Sequence, residues 1–268
     1  MNAVSIKHTG RIFFSFAIIG LGLTHFIFLE FMTGRAPVWP EALPGDFFWA
    51  VFSGWVFITA GLAILSGNLG KQFSIAAALL ILFWAFFRHI PSLFSHSLFS
   101  SVWTDTGKAL MLFGGALAVS FICPGKKQIN QAPLFNFFGK IDHLYLNIGR
   151  FSLSLFFLIT GIQHFMFIDF VASLIPTWFP GDPYFWTFFG GAALLAAGFG
   201  LLLPGITAFF ASLLSGIMVF CWFWIIHIPR TFTGISDGIA VFEALAVSGI
   251  AFVIAGILYE RNELTLFN

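Results

Sequence analysis

Eight apolar runs of membrane-spanning length follow one another along the chain and leave little choice of fold. A bilayer crossing needs about 20 apolar residues in a helix, because the hydrocarbon core offers no partners to unpaired backbone groups. The runs are too continuously apolar for strands of a membrane barrel. They cover residues 12–29, 47–66, 73–90, 106–122, 151–168, 184–203, 206–228 and 238–259. The sequence therefore predicts an all-α integral membrane protein with eight transmembrane helices.

Composition excludes the soluble and the disordered classes. Of 268 residues, 12 are basic and 11 are acidic, which is too few to cover the surface of a soluble domain. The hydrophobic share of 59% and the 40 phenylalanines are equally foreign to a disordered chain. A nucleic-acid partner is not expected, because it would require basic clusters that a net charge of +1 does not suggest.

The basic residues predict the orientation of the chain. Cytoplasmic loops carry an excess of Lys and Arg. One side of the predicted topology carries Lys7, Arg11, Lys71, Lys126, Lys127, Lys140, Arg150 and Arg261, and the other carries Arg35, Arg88, Lys108 and Arg230. We therefore expect a multi-pass protein of the cell membrane (an inner or plasma membrane) with both termini in the cytoplasm.

The two halves of the chain resemble each other in sequence. GRIFFSFAIIGLGLTHFIFLEF, which starts at Gly10, aligns with GRFSLSLFFLITGIQHFMFIDF, which starts at Gly149. A Pro-x-Trp, a Pro-Gly-Asp and a His-Ile-Pro motif follow in the same order in each half. So many ordered coincidences indicate a tandem duplication.

The repeat predicts how the domains are organised. Each half contains four spans, so both halves enter and leave the membrane on the same side and are parallel repeats. We predict two parallel-repeat four-helix bundles, at residues 1–123 and 149–268, joined by a cytoplasmic linker at residues 124–148. The sequence leaves open whether the repeats share one site or carry two.

Polar and ionisable side chains gather at the same end of each repeat. At a rise of about 1.5 Å per residue, His25 and His89 lie about 20 Å and 24 Å from the cytoplasmic ends of their spans. Ionisable side chains inside a membrane are costly and usually functional. The candidate ligand-binding residues are His25, Glu30, Arg88, His89, Asp105 and Lys108 in the first repeat, and His164, Asp169, His227, Arg230, Asp237 and Glu243 in the second.

Structural roles are an alternative for most of these residues. His25 and His164 could hydrogen-bond to a neighbouring helix. His89 and His227 could stand at a helix end that the following Ile-Pro imposes. The arginines could extend to lipid headgroups, and the carboxylates could cap helices.

Lys108 and Glu243 are harder to explain structurally. Both lie inside otherwise apolar spans, and they break the repeat symmetry, because one is a base and the other an acid. If the halves face each other, these residues could form an ion pair. Otherwise they would make one site basic and the other acidic.

Several chemistries lack the residues that they need. Cys123 and Cys221 are far apart and outside any Cys-x-x-Cys motif, which excludes a thiol–disulfide enzyme. Nucleotide-binding and hydrolase motifs are missing. Imidazole and carboxylate can bind a metal or haem, but no span has the usual ligand spacing. We expect no metal site. The cofactor stays open, with a quinone favoured over haem, and no catalytic residue can be assigned.

The repeat unit resembles the DoxX/DoxD-like membrane family. The shared features are an Arg opening the first helix, a Gly-x-x-His-Phe near its end (residues 22–26 and 161–165), a Pro-bearing loop, a Gly-rich second helix and a His closing the third. Some members are associated with quinone-linked redox complexes, including thiosulfate:quinone oxidoreductase, and with thiol homeostasis. The resemblance implies functional roles for His25, His89, His164 and His227. Many members carry a Glu in the second helix, which neither half of this chain has.

The sequence thus predicts a redox-associated membrane subunit. His and Arg would hydrogen-bond a quinone head group, and Phe and Trp would pack against its ring. A small-solute transporter or binding protein using the pseudo-twofold repeat, and a non-catalytic assembly subunit, are the alternatives; whether the chain is an enzyme stays open. The polar residues gather at one end of the spans, which argues against the transporter. Expected partners are the lipid bilayer, other membrane or redox subunits, and a second copy of the chain.

Overall fold

Eight long helices make up most of the computed structural model, which describes residues 2–31, 35–40, 43–123, 142–232, 234 and 237–266. No β-strand occurs in these residues. The helices are α1 (Ala3–Phe28), α2 (Asp46–Ser66), α3 (Gly70–Trp84), α4 (Ser101–Ile122), α5 (Asp142–Met166), α6 (Pro183–Leu202), α7 (Ile206–Trp222) and α8 (Asp237–Leu266). A short helix, Ile168–Ser173, lies between α5 and α6.

All eight predicted spans are confirmed as helices that are long and apolar enough to cross a membrane. The protein is accordingly a multi-pass membrane protein by the length and composition of its helices. Their ends differ from the prediction where helices continue into polar flanks. For example, α1 begins at Ala3 because the Asn2 side chain accepts a hydrogen bond from the Ser5 N–H at 2.9 Å and caps it. Residues 124–141 of the predicted linker lie outside the described residues, and its last part, residues 142–148, is not a linker but the beginning of α5.

The helical spans of α3 and α7 continue beyond these bounds, to Leu93 and Arg230, through a π-helical turn that precedes a proline. The turns cover Ala85–His89 and Phe223–His227, and an α-helical turn follows each of them. A proline inside a helix removes one backbone donor and crowds the preceding turn, and a wider π turn accommodates this. The helices therefore do not end at the His-Ile-Pro motifs, as the structural alternative supposed, and each histidine stands at the widened turn.

The helices pack in a closed order around α4 and α8. Neighbours in sequence pack together, α1 packs along α8, and α4 packs along both α5 and α8. Helix α8 is the most buried, since 83% of its most apolar stretch is covered, against 28% for α7. We call the end of the bundle where α1 ends and α8 begins the distal end.

Glycines allow α1 and α8 to approach closely. A Cβ at Gly10 would lie 2.6 Å from the Gly249 carbonyl oxygen, and a Cβ at Gly249 would lie 2.6 Å from the Phe14 nitrogen. Backbone contact of this kind drives helix association in lipid, where apolar side chains gain little from leaving the solvent.

The same type of contact joins α4 to α5. A Cβ at Gly149 would lie 2.9 Å from the Gly114 carbonyl oxygen, and a Cβ at Gly114 would lie 3.0 Å from that of Ile148. Hydrogen bonds from a serine to a backbone carbonyl of the neighbouring helix also occur in both halves of the chain. Ser74 Oγ of α3 donates to the Ala116 carbonyl of α4 at 2.7 Å, and Ser212 Oγ of α7 donates to the Ala251 carbonyl of α8 at 2.8 Å.

Replacing Gly10 by Ala should destabilise the bundle by about 1–3 kcal/mol, because the added methyl collides with the α8 backbone. Reversible unfolding in mixed micelles measures the change. Gly238→Ala is the matched control, since its Cβ would meet nothing within 4 Å. Equal stability of the two variants would contradict the packing described.

Candidate functional site

A cavity of about 140 Å³ lies at the distal end, among α1, α2, α3, α4 and α8. Its charged and histidine lining consists of His25, Glu30, Arg35, Arg88, His89, Asp105, Lys108 and Glu243. All six first-repeat candidates are thus brought together, and Glu243 joins them from the second repeat. The apolar lining includes Phe28, Phe31, Phe57 and Trp84.

An ion network forms one wall of the cavity. Lys108 Nζ lies 2.9 Å from Glu243 Oε2 and 3.6 Å from Asp105 Oδ1, and Arg35 Nη1 lies 3.0 Å from Glu243 Oε2. These side chains are between 13% and 25% exposed, so water screens their attraction only in part. The ion pair considered for Lys108 and Glu243 is therefore present, and it links α4 to α8.

The register of the two helices explains this pair. Lys108 precedes Gly114 by six residues on α4, and Glu243 precedes Gly249 by six residues on α8. Because the two glycines make equivalent contacts with α5 and α1, the two charged side chains occupy equivalent heights on facing helices. Opposite charges at these positions attract each other, whereas identical residues would repel.

Arg88 lies in an aromatic cage rather than at a lipid headgroup. Its guanidinium carbon is 4.4 Å from the ring centroid of Phe31, 5.0 Å from that of Trp39 and 5.8 Å from that of Trp84. Arg88 Nη2 donates to the Pro37 carbonyl oxygen. The side chain is only 7% exposed, so the aromatic faces replace water around the cation.

Two buried nitrogen atoms of the cavity residues have no partner among the described residues. They are Arg88 Nε and His89 Nδ1, and His89 is 8% exposed. An unpaired buried polar atom costs about 1–3 kcal/mol. The π turn places both residues consecutively on the cavity side of α3.

His25 is held by its own helix. Its Nδ1 lies 2.8 Å from the Leu21 carbonyl oxygen, and its ring makes edge contacts with Phe31 and Phe57 at centroid distances of 5.5 and 5.6 Å. Gly54 of α2 packs against the His25 Cβ, which fixes the base of the ring. The bond is thus to the same helix and not to a neighbouring helix, as the structural alternative supposed, and the ring lines the cavity.

The second-repeat histidine at the matching place has different surroundings. His164 Nδ1 lies 2.7 Å from the Thr160 carbonyl oxygen, but the ring stacks on Trp222 with centroids 6.0 Å apart. Trp222 reaches this place over Gly190, which has no side chain. In the first repeat Ser53 accepts the indole N–H of Trp84 at 3.0 Å, so the indole is held at α2 instead.

The other second-repeat candidates do not line this cavity. Asp169 accepts a hydrogen bond from the Tyr184 hydroxyl at 3.0 Å. His227 stands at the end of its π turn, and Arg230 ends the short helix that follows. Helix α8 begins at Asp237, but the side chain of that residue lies outside the described residues. The candidates from the second repeat, apart from Glu243, are thus not brought into the first-repeat cavity.

Sequence reasoning missed Arg35, Ser53 and the aromatic cage. By sequence, Arg35 is one of four bases on the side of the membrane opposite to the basic excess, and a base between two spans on the carboxylate-rich side is a signal for pairing. Phe31 and Trp39 have no such signal, because the chain has 40 Phe and 9 Trp and most of them pack or face lipid. Among the described residues, no group of three or more His, Cys, Asp or Glu could hold a metal ion.

Comparison with known proteins adds one match. A family model described as a domain of unknown function, DUF8561, matches residues 153–254, which run from α5 into α8. No curated protein and no solved structure matches the chain. The first-repeat cavity lies largely outside the matched residues, with Glu243 as its charged member inside them.

Glu243→Gln should lower the free energy of unfolding by about 3 kcal/mol, because it leaves Lys108 and Arg35 without their shared carboxylate. Unfolding in mixed micelles measures the loss. Glu260→Gln is the control and should cost less than about 1 kcal/mol, since Glu260 is 39% exposed.

The double variant Lys108→Met, Glu243→Met should be less destabilised than the sum of the single variants Lys108→Met and Glu243→Met, because it removes one cation and one carboxylate together and leaves Arg35 and Asp105 as an oppositely charged remainder. Strictly additive losses in the two single variants and the double variant would contradict a coupled pair.

Cys123, which follows the end of α4, should react slowly in the folded protein. Burial raises the pKa of its thiol to about 11, against the opposing influence of Arg11 and Lys71. Only the thiolate is a nucleophile, so alkylation should accelerate about tenfold per pH unit until the pH nears this pKa. Cys221→Ser leaves Cys123 as the single target, and the denatured chain is the control. A rate that levels off near pH 8.5 in the folded protein would contradict the burial.

Proposed function

We propose that this protein is a redox-associated membrane subunit that binds a quinone head group in its first-repeat cavity. The observation that carries the proposal is the pair of unpartnered buried nitrogens, Arg88 Nε and His89 Nδ1, beside a ring-sized cavity lined by aromatic side chains. A ligand oxygen would supply the partner that these atoms lack.

The size of the cavity supports a single-ring ligand. Its volume of about 140 Å³ is close to the roughly 150 Å³ of a cavity known to hold one benzene molecule. Phe31, Phe57 and Trp84 offer aromatic faces and edges to a flat ring. Rings prefer stacked or edge contacts with such neighbours.

The charge balance of the cavity supports an uncharged ligand. The described lining contains three permanent cations, at Arg35, Arg88 and Lys108, and three carboxylates, at Glu30, Asp105 and Glu243. A charged head group would disturb this balance, whereas a quinone adds dipoles and hydrogen-bond acceptors alone. Arg88 donates to it, and the ion network holds α4 and α8 in place behind it.

We further propose that the chain arose by tandem duplication of a DoxX-like four-helix unit. Equivalent contacts in both halves support this view. Gly54 of α2 packs on the Cβ of His25, and Gly191 of α6 packs on the Cβ of His164. The π turns that end at His89 and His227, just before Ile-Pro, also match.

The excess of Lys and Arg at one end favours cytoplasmic termini in a cell membrane, which places the cavity at the outer face. A redox-associated subunit in this position would exchange electrons with another membrane subunit.

Arg88→Ile tests the proposal, since Ile226 precedes His227 where Arg88 precedes His89. The full chain is purified in mild detergent from a quinone-containing membrane, and bound quinone is quantified by mass spectrometry against total lipid. We expect about one quinone per chain, and at least a tenfold reduction in the variant, because the donor at the cavity wall is lost.

His96→Ala is the control, because His96 is exposed and bonded only to its own helical turn. It should retain the wild-type quinone content. A wild-type quinone content no higher than that of the surrounding lipid, or an unchanged content in Arg88→Ile, would overturn the proposal.

A further inference from the structure

The hydrogen bond of His25 determines what its other ring nitrogen can do. The Leu21 carbonyl oxygen, 2.8 Å from Nδ1, can only accept a hydrogen bond. The Nδ1 atom must therefore carry a proton. A neutral imidazole has a single N–H, so Nε2 is left as a hydrogen-bond acceptor.

This acceptor is available to a ligand. His25 Nε2 makes no hydrogen bond to any described residue, and the ring lines the cavity. The edge contacts with Phe31 and Phe57 hold the ring from two sides. The cavity thus presents an acceptor on α1 and, at Arg88 on α3, a donor.

We infer that the cavity binds the hydroquinone form of its ligand more tightly than the quinone form. A hydroquinone donates one O–H to His25 Nε2 and offers an oxygen lone pair to Arg88. A quinone has only carbonyl oxygens, so it leaves His25 Nε2 facing another lone pair. The inference rests on the proposed function and specifies which redox form the site prefers.

The expected preference is about tenfold, the value of one net hydrogen bond at about 1.4 kcal/mol. A preference of this size would raise the midpoint potential of the bound two-electron couple by about 30 mV relative to the free couple. The bound ligand would then be easier to reduce and harder to reoxidise than the ligand free in the membrane.

His164 provides the matched comparison within the same chain. It makes the same bond to its own helix, through the Thr160 carbonyl at 2.7 Å, and follows the same Gly-x-x motif. Its ring, however, is stacked on Trp222 and does not line the cavity. Removing this imidazole should therefore leave the ligand preference unchanged.

The test is equilibrium dialysis of the purified full chain, without oxygen, against tetramethyl-hydroquinone and tetramethyl-benzoquinone. These fully substituted rings do not add to the cysteine thiols. We expect the wild type to bind the hydroquinone about tenfold more tightly, His25→Phe to bind both forms about equally, and His164→Phe to keep the wild-type ratio. His25→Gln, whose amide can donate to Leu21 and still accept from the ligand, should retain part of the preference.

The wild-type ratio alone decides the matter if His25→Phe fails to fold. Equal affinity for the two forms, or tighter binding of the quinone, would overturn the inference. In that case the proposed function would still be upheld if the saturable binding of the wild type is lost in Arg88→Ile. Absence of saturable binding for both forms would overturn the proposed function and the inference together. A wild-type preference that persists in His25→Phe would also overturn the assignment to His25.

Discussion

The backbone contact between α1 and α8 at Gly10 and Gly249 is the constraint on which the remaining packing depends. In lipid, helices gain little by burying apolar side chains, so close packing and hydrogen bonds must hold them together. The glycines let the most buried helix, α8, lie directly against α1, and Gly114 and Gly149 do the same for α4 and α5. With α8 and α4 held in this way, both helices face each other across the centre of the bundle.

The ion network follows from that placement. Lys108 and Glu243 reach each other because their helices are fixed at matching heights, and Arg35 joins them from the segment between α1 and α2. A charge in a membrane is tolerated where an opposite charge is within reach. The network therefore ties together the two halves of the chain and the segment between α1 and α2 at one wall of the cavity.

The cavity itself arises from differences between otherwise similar halves. Ser53 holds the indole of Trp84 at α2, whereas the matching indole of Trp222 passes over Gly190 and covers His164. Arg88 supplies a caged cation where the second repeat has Ile226. Similar helix contacts recur in both halves, and a few side chains decide which half has a histidine that lines the cavity.

The sequence by itself determined the eight helices, because runs that are continuously apolar over this length satisfy their backbone in lipid as helices and lack the alternation of barrel strands. It also identified six of the eight charged and histidine residues at the cavity from their cost in a membrane, and Glu243 as a seventh. It could not show that Glu243 lines the cavity whereas His164 and His227, from the same half of the chain, do not. Nor could it show that Arg35 and the cage of Phe31, Trp39 and Trp84 complete the site. Those facts depend on distances across helices that are far apart in the chain, and only the tertiary structure brings such residues within hydrogen-bonding or ring contact.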